Sequence, residues 1–414
     1  MKTYMKIKAM KRFAADFVYG AVALVVMNGV LSFLVYPFME KVLGTAGQGK
    51  ILFFTAIMGL MASACGSGAN YARMKISTRS ETVNGDYNWF LTGIAALACI
   101  VTSIAIWIKG DSAGATGVGI AVLIIATIIR YYADVQFRLD LNYKGFFIYY
   151  MVIAGGYLVG LFQFFVTKSW VTMLLLGEVA GLVYVTVRGS IFRRPFFKRS
   201  SQYKENRNVM ISLSAAYLMS DFVSYSDRLL LPLLVANGDE VTAIFYYATL
   251  VGKMVSLLST PLNGVIAGHL AKYRGQLTKK MFSGIVGIMV LLGILFTVGS
   301  VIGSHIFVGL FYPSNYEAAR PLFWVANAGQ VFFFLSNTMM TVVLRFASEK
   351  YQVYMGVIYT ILFFIVVVPL LLNFGVWGMA YGLLIINLLK FLVITGLGYL
   401  GLMNGRRAVK SKVK

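Results

Sequence analysis

The chain has 414 residues, 59% hydrophobic and 13% charged, with a mean hydropathy of +0.77. No water-soluble globular domain has that balance; a protein that crosses the membrane many times does. A net charge of +22 would suit a nucleic-acid binder, but its distribution along the chain excludes that partner.

Apolar runs of roughly the 20 residues needed to cross a bilayer recur from end to end. They predict spans at 13–37, 50–72, 88–108, 114–136, 145–166, 169–187, 208–236, 241–270, 281–309, 319–346, 351–373 and 376–403. The start, "MKTYMKIKAMKRFAADFVYG", is basic and then apolar like a signal peptide. Its apolar run continues to Pro37 without a small-residue cleavage site, so it reads as an uncleaved first span. Cys65 and Cys99 fall within spans and carry no redox or metal message.

With alternate loops assigned to opposite sides, the side holding both termini carries 28 Lys and Arg and the other side 5. That asymmetry follows the positive-inside rule and predicts cytoplasmic termini and an even number of spans. The charge therefore signals topology and attraction to anionic membrane lipids. No nucleic acid is expected.

The expected fold is an all-α polytopic membrane protein of about 12 transmembrane helices in two six-helix lobes. The N-terminal lobe covers 1–187, a basic cytoplasmic linker 188–207, and the C-terminal lobe 208–414. Within the linker, Arg and Lys alternate with Ile and Phe in "VRGSIFRRPFFKRSSQYKENRN", which suits either a segment lying on the inner membrane face or a plain basic connector. The lobes read as a parallel repeat. "ILFFTAIMG" at 51–59 matches "IFYYATLVG" at 244–252, and the same spacing pairs Asn70 with Asn263 and Arg79 with Lys272. Such repeats place a substrate site between halves near mid-membrane.

Motifs for bound groups are missing. "GTAGQGKI" (Gly44 to Ile51) falls one residue short of a phosphate-binding loop, with Ile51 at the metal-binding hydroxyl position and no preceding strand. His269 and His305 lack ligand-spaced partners, and no Ser/His/Asp set occurs. Neither metal, cofactor nor enzymatic activity is expected.

The informative residues are ionisable side chains within spans, which usually face a bundle interior or a watery path. Arg130 and Asp134 in span 4 are four apart on one helical face and can pair; Arg130 also counts among the cations open to substrate. Glu178, Asp221, Lys253 and Lys390 sit near mid-depth, so the two lysines are nearly balanced by the two carboxylates. These carboxylates, with Asp227 and Asp134, are candidates for ion coupling or internal pairing, such as Asp221 with Lys253. Asp227 and Arg228 lie toward the outer end of span 7; as helix neighbours ~100° apart they are expected not to face each other. Pro232 in span 7 and Pro261 in span 8 each remove a backbone hydrogen bond and are candidate gating bends.

Two stretches, "SDRLLLPLLVANGDEVTAIFYYATLVGKMVSLLSTPLNGVIAGHL" and "ASEKYQVYMGVIYTILFFIVVVPLLLNFGVWGMAYGLLIINLLKF", resemble the polysaccharide-transporter (O-antigen flippase) family. That family belongs to the exporter superfamily that also contains lipid-linked oligosaccharide flippases and multidrug extruders. The resemblance runs loosely over all twelve spans and is not specific for any sugar. It implies a monomer in the bacterial inner membrane that passes an undecaprenyl-pyrophosphate-linked oligosaccharide outward by alternating access, with the polymerase of the same pathway a candidate partner. The headgroup would rest on Lys253, ~18 Å into its span, with Arg228 as an outer station and Lys390 as a further partner. An alternative is an ion-coupled exporter of cationic small molecules, which predicts a cavity dominated by uncompensated carboxylates and which free Glu178 and Asp221 with lipid-facing lysines would support. A third is a membrane assembly protein that transports nothing.

Overall fold

The computed structural model describes residues 2–77, 82–110, 114–259, 262, 263, 266, 278–344 and 350–411, and the elements in these residues are helical. Pro261, His269, Arg79 and Lys272 lie outside the described residues.

Helix α1 (Lys2–Gly29) continues through a π-helical stretch, Val30–Val35, into α2 (Tyr36–Met61). At Gly44, inside α2, the backbone takes φ +75 and ψ 171, a conformation open to glycine because it has no Cβ. The chain doubles back there. Met27 Sδ, before the turn, meets Arg130 Nη1 at 3.4 Å, while Gly66, after it, packs against Ile128 and Tyr131 of the same helix. The loop expected at 38–49 is thus helix on both sides of one glycine, since the amides of the turn are better satisfied by extending each helix to its limit. The second arm passes through another π-helical stretch, Ala62–Ser67, into α3 (Gly68–Ser77).

The later spans are α4 (Asn84–Ile108), α5 (Ala115–Leu139), α6 (Tyr143–Thr167), α7 (Trp170–Arg188), α8 (Tyr203–Leu234), α9 (Gly238–Leu257), α10 (Lys279–Phe311), α11 (Phe323–Leu344), α12 (Lys350–Leu362) and α13 (Val368–Ser411). Helix α13 is broken at Gly375, φ +57. Beyond that turn Gly378 lies against the Leu370 carbonyl and Gly382 against Val367, so its two arms run antiparallel with backbones in contact. Among the described residues, seven continuous helices are long and apolar enough to cross a membrane. Two of these, Ala15–Ser77 and Tyr354–Gly401, each fold into two spans at Gly44 and Gly375. With the more polar α8, α9 and α11, the described residues contain the twelve spans expected.

Packing groups the chain into two compact units, 1–229 and 230–414. The division falls inside α8 and not at the 188–207 linker, and the part of α8 from Ser214 to Tyr225 lies along the second span. Tyr225 covers Gly59, Asp221 meets Ser63, and Ser214 covers Gly68, an antiparallel seam of small residues. In the first unit α5 is central, touching the π-helical part of span 2 together with α4 and α7. In the second unit α11 takes the same place against α9, α10 and α13. Span 4 therefore meets spans 2, 3 and 6 as span 10 meets spans 8, 9 and 12, the internal likeness that "ILFFTAIMG" and "IFYYATLVG" suggested. Both stretches are largely buried, and each ends on a glycine pressed by a polar side chain: Gly59 by Tyr225, Gly252 by Asn327.

The α6–α7 pair fixes the position of one site residue. Gly156 lies on Gly177, Gly160 on the Met173 carbonyl, and Gly181 on Ile153. Small residues four apart let two backbones approach, and Glu178, next to Gly177, is drawn inside the first unit.

Candidate functional site

In the first unit, α5 and α7 bring Arg130 and Glu178 together, Nε to Oε2 at 2.9 Å, with 6% and 0% of the side chains exposed. The Tyr157 hydroxyl, one turn from the Gly160 contact, donates to Glu178 Oε1 at 2.6 Å. The guanidinium also lies over the rings of Tyr131 and Tyr150, at 4.8 and 5.9 Å. Both carboxylate oxygens are thereby engaged and the cation is packed against two rings, since buried charges require partners. The expected pairing of Arg130 with Asp134 is not formed. Asp134 instead accepts from Tyr150 at 3.2 Å and lies 3.7 Å from Arg138, its neighbour one turn further along α5. Tertiary packing places Glu178 closer to Arg130 than the helix places Asp134.

Along α8, Asp221 accepts from the Ser63 and Ser220 hydroxyls. Ser63 belongs to the π-helical stretch, whose widened turn carries it to that position. Further on, Asp227 and Arg228 are 3.8 Å apart, and the guanidinium covers the Tyr225 ring at 4.8 Å. They were expected not to face each other. Their Cβ atoms do diverge, but the long Arg stem bends back over the buried Asp227. Pro232 sits in the last turn of α8, where Gly238 packs on its backbone and Asn237 adopts φ +50.

In the second unit, Lys253 lies over the Tyr246 ring at 5.4 Å. Lys390 is held differently. Its ammonium donates to Asn337 Oδ1 at 2.9 Å and lies over the rings of Phe333 and Tyr359 at 4.9 and 4.4 Å. Tyr359 is itself fixed by its hydroxyl, which donates to Asn387 Oδ1 at 2.7 Å. Among the described residues no carboxylate pairs with Lys390. The balance expected between the two lysines and Glu178 with Asp221 therefore fails on one side, because Glu178 is neutralised by Arg130 within its own unit.

Sequence reasoning missed a cavity of about 620 Å³ at the ends of α3 and α8, lined by Lys75, Lys204, Gln202, Asn208 and Ser212 among others. Only the polar run "KRSSQYKENRN" hinted at it. Also missed was Asn327, whose amide reaches Ala248, Ser304 and Phe323 and whose oxygen accepts from Gly252, joining α9, α10 and α11. Among the described residues no cluster of ligating side chains could hold a metal.

No protein-family model matches the sequence, and no curated protein matches it. Solved structures match its fold. An inward-facing multidrug-resistance MATE transporter of the MOP superfamily aligns with a TM-score of 0.69 at 12% identity, over 94% of this chain and 96% of that one. The lipid II flippase MurJ, in an inward closed conformation, aligns with a TM-score of 0.69 at 10% identity, over 95% and 87%. A MOP-superfamily transporter from Pyrococcus furiosus aligns with a TM-score of 0.61 at 14% identity, over 92% and 96%. The chain is an all-α polytopic membrane protein that shares its fold with these solved transporters.

Proposed function

We propose that the chain is a flippase, not an enzyme, that moves an undecaprenyl-pyrophosphate-linked oligosaccharide across the bacterial inner membrane by alternating access. An O-antigen, capsule or exopolysaccharide repeat unit is the cargo class. The observation that carries this reading is Lys390: a cation within a span, held only by an amide and two aromatic faces among the described residues. Neutral partners position the ammonium and leave its charge uncompensated, which suits a transient pyrophosphate whose desolvation would otherwise be prohibitive. Lys253 and Arg228 serve as further stations. The resemblance of the two quoted stretches to polysaccharide transporters supports the same cargo.

The exporter of cationic molecules would use carboxylates without cationic partners and lysines turned to lipid. Glu178 is paired with Arg130, and Lys390 is held by Asn337, Phe333 and Tyr359, so these two residues do not support that reading.

The test is Lys390→Gln in cells that depend on the chain for surface glycan. With normal abundance in the membrane, lipid-linked glycan should accumulate on the inner leaflet while surface glycan falls. Normal surface glycan in this variant would sink the reading.

A further inference from the structure

The loop between α7 and α8 has no regular structure, yet it is fastened along its length. Gln136 Oε1 accepts from the Ser190 and Ile191 amides at 2.8 and 3.2 Å. Asn84 Nδ2 donates to the carbonyls of Ser190 and Arg193, at 3.0 and 3.1 Å. Asn88 and Trp89 donate to the carbonyls of Phe196 and Phe197, both at 2.9 Å. At the far end, fully buried Asp86 accepts from the Ser200 amide and from Asn206 Nδ2, each at 2.8 Å. Gly85 lies so close to the Lys198 backbone that a Cβ would not fit. Five side chains of spans 3 and 4 thus satisfy backbone groups that a free linker would leave to water.

The clamps turn one kind of surface outward. Arg193, Arg194, Lys198 and Arg199 are exposed, and the loop from 190 to 200 contains no carboxylate. Between these cations stand Phe196 and Phe197, 41% and 50% exposed, with ring centroids 4.8 Å apart. A connector that only joins two spans needs neither fixed geometry nor two phenyl rings in water, where their burial is forgone. At a bilayer surface the same pattern is favourable: rings at the headgroup boundary, cations among anionic headgroups.

We propose that residues 190–200 form a preformed docking surface for anionic phospholipid headgroups, with Arg194 and Lys198 binding phosphate and the Phe196–Phe197 pair set into the acyl boundary. Arg199 is already stacked on Trp89 and Tyr203, both at 4.6 Å, and steadies the surface instead. The proposal is independent of the cargo.

The full-length chain in detergent would be titrated with phosphatidylglycerol and with phosphatidylcholine, and bound lipid counted by native mass spectrometry. A cation near an anionic surface contributes roughly a fivefold preference. Arg194→Gln with Lys198→Gln should therefore cut phosphatidylglycerol retention by roughly twentyfold and leave phosphatidylcholine unchanged. Phe196→Ser with Phe197→Ser should weaken both lipids. Exchanging the cations, Arg194→Lys with Lys198→Arg, should keep the wild-type preference and so separates lost charge from lost folding. The control removes the exposed pair at the start of α10, Lys279→Gln with Lys280→Gln, and should change little. An equal drop in that control would mean diffuse charge without a docking surface, and no drop in the loop variant would overturn the proposal.

Discussion

Arg130 and Glu178 form an ion pair of 2.9 Å between α5 and α7, and the remaining Glu178 oxygen is taken by the Tyr157 hydroxyl. Removing one partner leaves the other charged and buried, at a cost of about 3–5 kcal/mol. Arg130→Ala should therefore lower the thermal unfolding temperature of the purified protein sharply, whereas Arg130→Met with Glu178→Leu should recover most of the loss. A double variant no more stable than Arg130→Ala would show that the pair does more than neutralise itself.

Gly177 tests the same region through packing. A side chain there would strike the Tyr157 ring, so Gly177→Val should both part α6 from α7 and pull the Tyr157 hydroxyl off Glu178. Overpacking of this kind costs about 1–3 kcal/mol. Tyr157→Phe, which loses only the hydroxyl, should cost less; melting curves of the two variants would give that order.

Lys390 distinguishes charge from shape. Lys390→Gln and Lys390→Met should both lose glycan export at least tenfold, and Lys390→Arg should retain part of it, because the charge persists while the planar guanidinium does not reproduce the ammonium's contacts. Equal export by Lys390→Met and the wild type would remove the headgroup role.

Pro232 lies in the closing turn of α8. Pro232→Ala returns an amide to that turn and should shift the balance between inward-open and outward-open states, lowering transport with folding intact. Transport at the wild-type rate would set the gating role aside.

Topology can be read with a membrane-impermeant thiol reagent. In a Cys99→Ser background that keeps buried Cys65, Lys198→Cys should stay unlabelled in whole cells and Glu240→Cys should label. The reverse pattern would invert the orientation drawn from the charge asymmetry.

The spans were legible because each is a long apolar run, and the turn at Gly375 was legible because "NFGVWG" breaks one such run. The Arg130–Glu178 pair was not. Helical spacing offers Asp134 to Arg130, and only the close approach of α6 and α7 at Gly156, Gly160, Gly177 and Gly181 decides where Glu178 goes. Asp227 and Arg228 were misjudged for a related reason: Cβ directions follow from the helix, but the path of a long Arg stem depends on what surrounds it. The clamped loop was half legible. Its basic and aromatic composition is plain, whereas its fastening depends on Asn84, Asp86 and Gln136, far away in sequence.

The glycine turns at 44 and 375 leave almost no chain between the spans they join. The arms 354–374 and 376–401 share a turn of one residue and meet with Gly378 and Gly382 against the opposite backbone. Neither arm can then slide along its own axis without carrying the other, so the pair is mechanically one unit, and lengthening the chain at 375 would let the two shift independently.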